Sequence, residues 1–333
     1  MARSPWTGVA VAAVLAGCGD GTGPVTVTLA DPAATRAALS AVDSALAGPV
    51  VTSFGALATY IHPSPGFATI ASSPAGPVVP DTLYGAIFTW DSSSARYARS
   101  QTTGGPPNGV RYVLYAVQPA TGAIVTPLDP VGVADLLDES TTADTGTLHV
   151  QVRDTLGTAH LEYTATLTLR AVFLSATLSG LVTNGANRTM AFDVAAQLSP
   201  TTTTARSSFT LNDSSLSVVL DATTNALDGV KTVSMTYTIS RPGEAVRLQG
   251  YKTTTNDVLD TLSAGIRVNG QASASVEGNA HGITFYGRDG AVIPAGGVQG
   301  GVRAALDHLR TAVDATLAFM ESVFDPLYNL LSS

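Results

Sequence analysis

From residue 83 to residue 293 apolar and polar positions alternate with a period of two. Leu161, Tyr163, Ala165, Leu167 and Leu169 share one side of an extended chain, while Glu162, Thr164, Thr166, Thr168 and Arg170 share the other. Met190, Phe192, Val194, Ala196 and Leu198 repeat the pattern, as do Val233, Met235, Tyr237 and Ile239 against Ser234, Thr236, Thr238 and Ser240. Such alternation is what an antiparallel sheet with one dry and one wet face requires. It predicts strands at 84–90, 95–100, 109–118, 123–127, 131–137, 146–153, 161–170, 172–182, 190–198, 206–212, 215–221, 233–240, 244–254, 264–269, 272–278, 282–287 and 291–293. Turns fall at Pro119-Ala120-Thr121-Gly122, Asp154-Thr155-Leu156-Gly157, Asn184-Gly185 and the polar segment 221–229, where residues that tolerate turn conformations collect. The threonine-rich sides read as solvated surface.

The pattern changes to helical spacing at both ends. Asp31-Pro32 supplies an N-cap and a proline at the first helical position, and Gly48-Pro49 a stop, so a helix is expected over 32–47 with Leu39, Val42 and Leu46 on one side. A further turn or two is expected around Phe54, Leu57, Ala58 and Ile61, and 62–82 reads as a loop. Near the other end, Val302, Leu306, Leu309, Val313, Leu317, Met320, Phe324 and Leu327 recur at intervals of three and four, opposite Arg303, Asp307, Arg310, Asp314 and Glu321. This is an amphipathic stripe and not a membrane span. The expected fold class is therefore α+β: a large curved antiparallel meander, half-barrel-like, over 84–293. It would be packed on a long C-terminal helix over 299–331, with short helices over 32–61 at one end.

Composition narrows the function classes. The chain is 45% apolar and 13% charged, enough to bury a sizeable core. Its net charge of -8 argues against nucleic acid, which demands a basic face. A single cysteine, Cys18, excludes an internal disulfide and thiolate metal clusters. No Gly-x-Ser-x-Gly elbow, Ser-x-x-Lys pair or Walker lysine is present, and the five histidines form no close ligand pair along the chain. His149 and His160 become neighbours in one register of the hairpin that turns at 154–157, whereas in another His149 faces Glu162. The acids Asp135, Asp138, Glu139 and Asp144 lack the oxygen spacing of a calcium loop and read as solvated loop charge. No cofactor, metal site or catalytic residue is expected.

The most specific stretch is Val11-Ala12-Ala13-Val14-Leu15-Ala16-Gly17-Cys18. Its apolar run is too short to cross a bilayer, which takes about 20 residues. Leu15-Ala16-Gly17-Cys18 resembles the lipobox of bacterial lipoproteins. That resemblance implies removal of residues 1–17 and a diacylglyceryl thioether on Cys18; the glycine-rich composition that follows reads as a tether over 18–30 leading to a single β-rich domain over 31–333. The lipobox resemblance implies a membrane-anchored protein of the cell envelope, and Gly19 after the cysteine favours the outer membrane. In organisation the chain also resembles the lipoprotein carriers of the LolA and LolB type. That resemblance implies a lipophilic ligand, a lipid or other apolar small molecule, between the sheet and the C-terminal helix. Val302, Leu306, Leu309, Val313, Leu317, Met320 and Phe324 would then face it. The alternatives are a structural or protein-interaction module at the cell surface with a fully packed core, and an enzyme without a recognisable motif. Replacing Cys18 with serine is expected to leave a full-length precursor without the lipid, measured as loss of incorporated labelled palmitate; undiminished labelling would remove the anchor.

Overall fold

Extended segments that bury alternate side chains must pair, because each strand leaves its backbone donors and acceptors on both flanks. A computed structural model describes residues 46–60, 77–118, 121–142, 144–170, 173–183, 189–212, 215–227, 230–255, 260–279, 282–288 and 290–293, together with Ala37 and Ser40. Among these, one helix, α1 (Pro49–Tyr60), is followed by a short 3-10 turn (Asp81–Leu83) and sixteen strands. The strands are β1 (Ala86–Asp91), β2 (Arg96–Thr103), β3 (Gly109–Tyr115), β4 (Pro130–Asp138), β5 (Thr145–Asp154) and β6 (Ala159–Arg170). They continue as β7 (Phe173–Thr183), β8 (Thr189–Leu198), β9 (Thr202–Leu211), β10 (Leu216–Leu227) and β11 (Val230–Arg241). The series ends with β12 (Glu244–Thr255), β13 (Asp260–Val268), β14 (Gln271–Asn279), β15 (Gly282–Gly287) and β16 (Val292–Ile293).

Their hydrogen-bonded order runs in sequence from β16 back to β3, then β1, with β2 at the edge. Within β1–β8 and within β10–β16 the pairings are antiparallel except β1 against β3, which run parallel with Ala86 opposite Val110 and Phe88 opposite Tyr112. The expected α+β class is thereby corrected. The described chain is mostly one large antiparallel sheet of sixteen strands, and the helix seen against it is the short α1, which contacts β3, β4, β5 and β6. The C-terminal helix expected over 299–331 lies outside the described residues, as do 1–36 and most of the helix expected over 32–47.

Three local expectations also change. Gly48-Pro49 does not merely end a helix but starts α1: Thr52 N–H donates to the Gly48 carbonyl at 2.9 Å, and proline is tolerated in the first turn, where its missing donor has no intrahelical partner. The strand expected at 123–127 is a tight return loop in which Val117 forms an isolated bridge with Ile124. The supposed turn 221–229 is largely strand, since β10 pairs residue by residue with β11 from Ser217–Ser240 to Leu227–Val230. Its polar side chains misled because a β ladder is made by the backbone and tolerates polar residues where neither face is deeply buried.

Proximity divides the described chain into two compact units, one holding β1–β8 and the other β10–β16, with β9 divided between them at Arg206 and Ser207. In the first unit the inner face is a set of cross-strand apolar rows. Tyr112, Ala134, Val152, Leu161, Val182 and Met190 align from β3 to β8, and Val110, Leu136, Val150, Tyr163, Gly180 and Phe192 form the next row. Every side chain in these rows is at most 1% exposed. Val50, Val51, Phe54 and Leu57 of α1 are buried as well, the i, i+1, i+4, i+7 spacing of one helical face. At the end of α1, Tyr60 meets the Trp90 ring edge-on at a centroid distance of 4.9 Å, and Trp90 meets Tyr97 at 5.9 Å. Gly180 has a packing reason: a Cβ there would collide with the Glu162 carbonyl and with Cα and Cβ of Tyr163.

In the second unit the rows Val218–Ile239–Val246–Val268 and Tyr237–Leu248–Ile266–Ala274 serve the same purpose. Its hairpins use the residues their turns demand. Pro242-Gly243, with Gly243 at φ 77°, has the proline-glycine signature of a type II turn between Arg241 and Glu244. Asn269-Gly270, at φ 50° and 78°, gives the two-residue turn between β13 and β14 its left-handed conformations. If the inner rows are the core, Phe192→Ala should cost about 3–5 kcal/mol. Thr177→Ala on the outer face should change stability by about 0.5 kcal/mol or less. Urea unfolding followed by Trp90 emission measures both, and equal effects would contradict the assignment of faces.

Candidate functional site

The outer face of the first unit carries charge where threonines dominate elsewhere. Pairing places Arg111 of β3 opposite Asp135 of β4, Asp135 opposite Gln151 of β5, and Gln151 opposite Glu162 of β6. Because side chains alternate, the neighbours two residues along, Arg153 and His149, share that face. Glu139, just beyond β4, completes a connected chain of seven polar residues.

Asp135 is its centre. It is 3% exposed, and a buried carboxylate needs its charge matched and its oxygens hydrogen-bonded. Arg111 supplies a fork, with Nε donating to Oδ1 at 2.6 Å and Nη2 to Oδ2 at 2.8 Å. Arg153 Nη1 donates to the same Oδ2 at 3.1 Å, and its Nη2 donates to Gln151 Oε1. The hydrogen bonds to Asp135 hold the Arg111 guanidinium above its ordinary pKa, against the opposing effect of its partial burial. The amide of Gln151 then donates to Glu162 Oε1 at 3.2 Å. His149 stands between two carboxylates, with Nε2 3.0 Å from Glu162 Oε1 and Nδ1 3.3 Å from Glu139 Oε1. A neutral imidazole donates to one of them and a protonated ring to both.

The acids read as loop charge are therefore corrected. Asp135 and Asp138 lie in β4, buried on opposite faces. Asp138 ties the incoming segment to the sheet: its Oδ2 accepts from Val79 N–H at 2.7 Å and its Oδ1 from Ser140 N–H at 2.9 Å. Glu139 and Asp144 are exposed. Among the described residues no three histidine, cysteine or acidic side chains gather as metal ligands.

The two histidines weighed together receive different partners. His149 joins the network and touches Glu162 diagonally, since its direct cross-strand partner is Thr164. His160 Nε2 instead stands 3.1 Å from Asp154 Oδ2, at the hairpin turn expected there. Asp154 Oδ1 also accepts the N–H groups of Leu156 and Thr158 at 2.9 and 2.8 Å. Cys18 and the apolar stripe Val302, Leu306, Leu309, Val313, Leu317, Met320 and Phe324 lie outside the described residues.

Arg111, Gln151 and Arg153 were missed from the sequence. The signal was there as charge in the middle of apolar strands, Val110-Arg111-Tyr112 and Ala134-Asp135-Leu136, but only the register reveals that the charges meet. The arrangement fixes charge on a rigid sheet and suits recognition of a charged, hydrogen-bonding group. Among the described residues no serine or threonine hydroxyl is hydrogen-bonded to His149, so the pairing of nucleophile and base is missing from this cluster. No family model matches the chain, and no curated protein or solved structure matches it.

Removing the central charge should be costly, because the arginines that remain would be left unbalanced. Asp135→Ala is expected to destabilise by about 3–5 kcal/mol, read by urea unfolding; a change under about 1 kcal/mol would assign Asp135 no such role. A pH dependence follows from Asp154. Burial pushes its carboxyl up, but the hydrogen bonds from His160, Thr158 and Leu156 outweigh that and leave it below its ordinary value. A depressed carboxylate contributes stability above the unfolded value of about 3.9, and the contribution is lost as pH falls through the folded value. The stability difference between the native chain and Asp154→Asn should thus be larger at neutral pH than at pH 3, and a difference that grows on acidification would reverse the assignment.

Proposed function

We propose that this chain is a lipid-anchored, non-catalytic protein of the bacterial cell envelope, held on the outer membrane through Cys18, whose sheet is a rigid scaffold for binding a partner at its outer face. The anchor rests on the Leu15-Ala16-Gly17-Cys18 lipobox, and two or three acyl chains, at roughly 0.8 kcal/mol per buried methylene, make such an attachment stable.

The observation that carries the scaffold reading is the closure of the inner face. A lipid pocket occupies several hundred Å³ and leaves its lining partly accessible. The side chains of Val110, Leu136, Val150, Val152, Leu161 and Tyr163 are instead 0–1% exposed, which is the state of a packed core. This favours the interaction module over the carrier for the first unit. The outer face supports the same reading, because Arg111 and Arg153 keep 31% and 32% of their side chains exposed on a strand framework that fixes their positions.

A fluorescent fatty acid titrated into the lipid-free Cys18→Ser chain tests the choice. Its emission should stay unchanged while Trp90 reports a folded protein. Saturable binding displaced by phospholipid would replace the scaffold with a carrier.

A further inference from the structure

Two partly exposed guanidiniums converge on one buried oxygen. Arg111 Nη2 and Arg153 Nη1 stand 2.8 and 3.1 Å from Asp135 Oδ2, which places the two nitrogens within about 6 Å of each other, a span that one further carboxylate can bridge. Each guanidinium has five N–H groups. Asp135 and Gln151 take two from each arginine, so donors remain free among the described residues. Asp135 also neutralises only one of the two positive charges, leaving this end of the network with a net positive charge.

The other end differs. Gln151 leads to Glu162, which is 39% exposed, and through His149 to Glu139, which is 45% exposed. Around them the outer face presents hydroxyls, with Thr147 opposite Thr166, Thr166 opposite Thr177, and Thr164 opposite Ser179. A ligand lying across β4, β5 and β6 thus meets an anion site first and then carboxylates, an amide and hydroxyls. The first demands one acidic group and the second demands hydrogen-bond donors without further negative charge. Adjacent strands are about 4.8 Å apart, so one sugar ring spans the change from one to the other.

We propose that this face binds a carboxylated saccharide: a uronate whose carboxylate bridges Arg111 and Arg153, with its ring hydroxyls donating to Glu162 and the Gln151 carbonyl side of the network. This inference rests on the scaffold reading and names its ligand class. Polyphosphates and nucleic acids are disfavoured by Glu139, Glu162 and the net charge of -8. An acidic peptide offers the carboxylate but not the row of hydroxyl donors.

The test is calorimetric titration of the detergent-purified full chain with a trimer of one galacturonate and two neutral galactoses, its methyl ester and hexaglutamate. The trimer should bind saturably, the ester and the peptide should not, and added salt should weaken the trimer. Arg153→Gln should weaken trimer binding by about tenfold or more in a chain that still unfolds cooperatively. Arg206→Gln, at an arginine 64% exposed beside Asp221, should leave it unaltered. No saturable trimer binding, equal binding of the ester, equal binding by a folded Arg153→Gln chain, or tighter binding of hexaglutamate would each overturn the assignment. Should the trimer fail while the fatty acid is still excluded and Cys18 is still acylated, the ligand class falls and the scaffold reading stands.

Discussion

A slip of one residue in β4 against β3 and β5 would carry Asp135 into the apolar face and push Ala134 and Leu136 out of it. Because side chains alternate strictly, the error would not stay local and would invert the whole strand. Both faces therefore enforce one register. Inside, rows such as Tyr112–Ala134–Val152–Leu161 lose their packing if they shift. Outside, the fork of Arg111 on Asp135 is made by directly opposed residues and breaks on the same slip. The placement of α1, the tether from Asp138 to Val79 and the hairpin at Asp154 all presuppose that register.

The burial of Asp135 runs against the usual economy of a sheet surface. Taking a carboxylate from water costs several kcal/mol, and its attraction to an arginine offsets that only with good geometry and filled hydrogen bonds. Here the geometry is supplied by β3 on one side and β5 on the other, so the charge is shared across three strands. The arrangement fixes the positions of the two guanidiniums more firmly than exposed ion pairs do, since those are screened and lose side-chain entropy on forming.

Much of this was legible in the sequence, and the reasons for the rest are physical. The strands of strongest alternation, such as Leu161 to Arg170 and Met190 to Leu198, emerge where their pattern places them, because burial of one face is encoded locally. Where neither face is deeply buried, as in Asp221 to Ala226, the side chains carry no periodic signal and the strand is held by backbone pairing to β11. The parallel insertion of β1 between β2 and β3 has no local signature, since it depends on which edge a hairpin chooses. The network at Asp135 is the same kind of case. Each member is visible as a polar residue in a strand, but their meeting depends on registers across β3, β4, β5 and β6. The helical periodicity near the C-terminus falls on residues outside the described ones, and spacing alone does not say what a helix covers.

From β4 to β16 each strand pairs with the one that precedes it. A chain with this order can be built as it is delivered, from N-terminus to C-terminus, because every new strand finds its template already in place. Apart from the loop 116–129 between β3 and β4, loop closure at each step spans only a few residues, so the entropy lost per step stays small however long the sheet becomes. The growing product also presents one fresh edge at a time, which limits the unpaired backbone open to wrong partners. Only the junction of β1 with β3 requires waiting, and it is completed within the first few dozen residues of the sheet. Length is thereby added without adding difficulty.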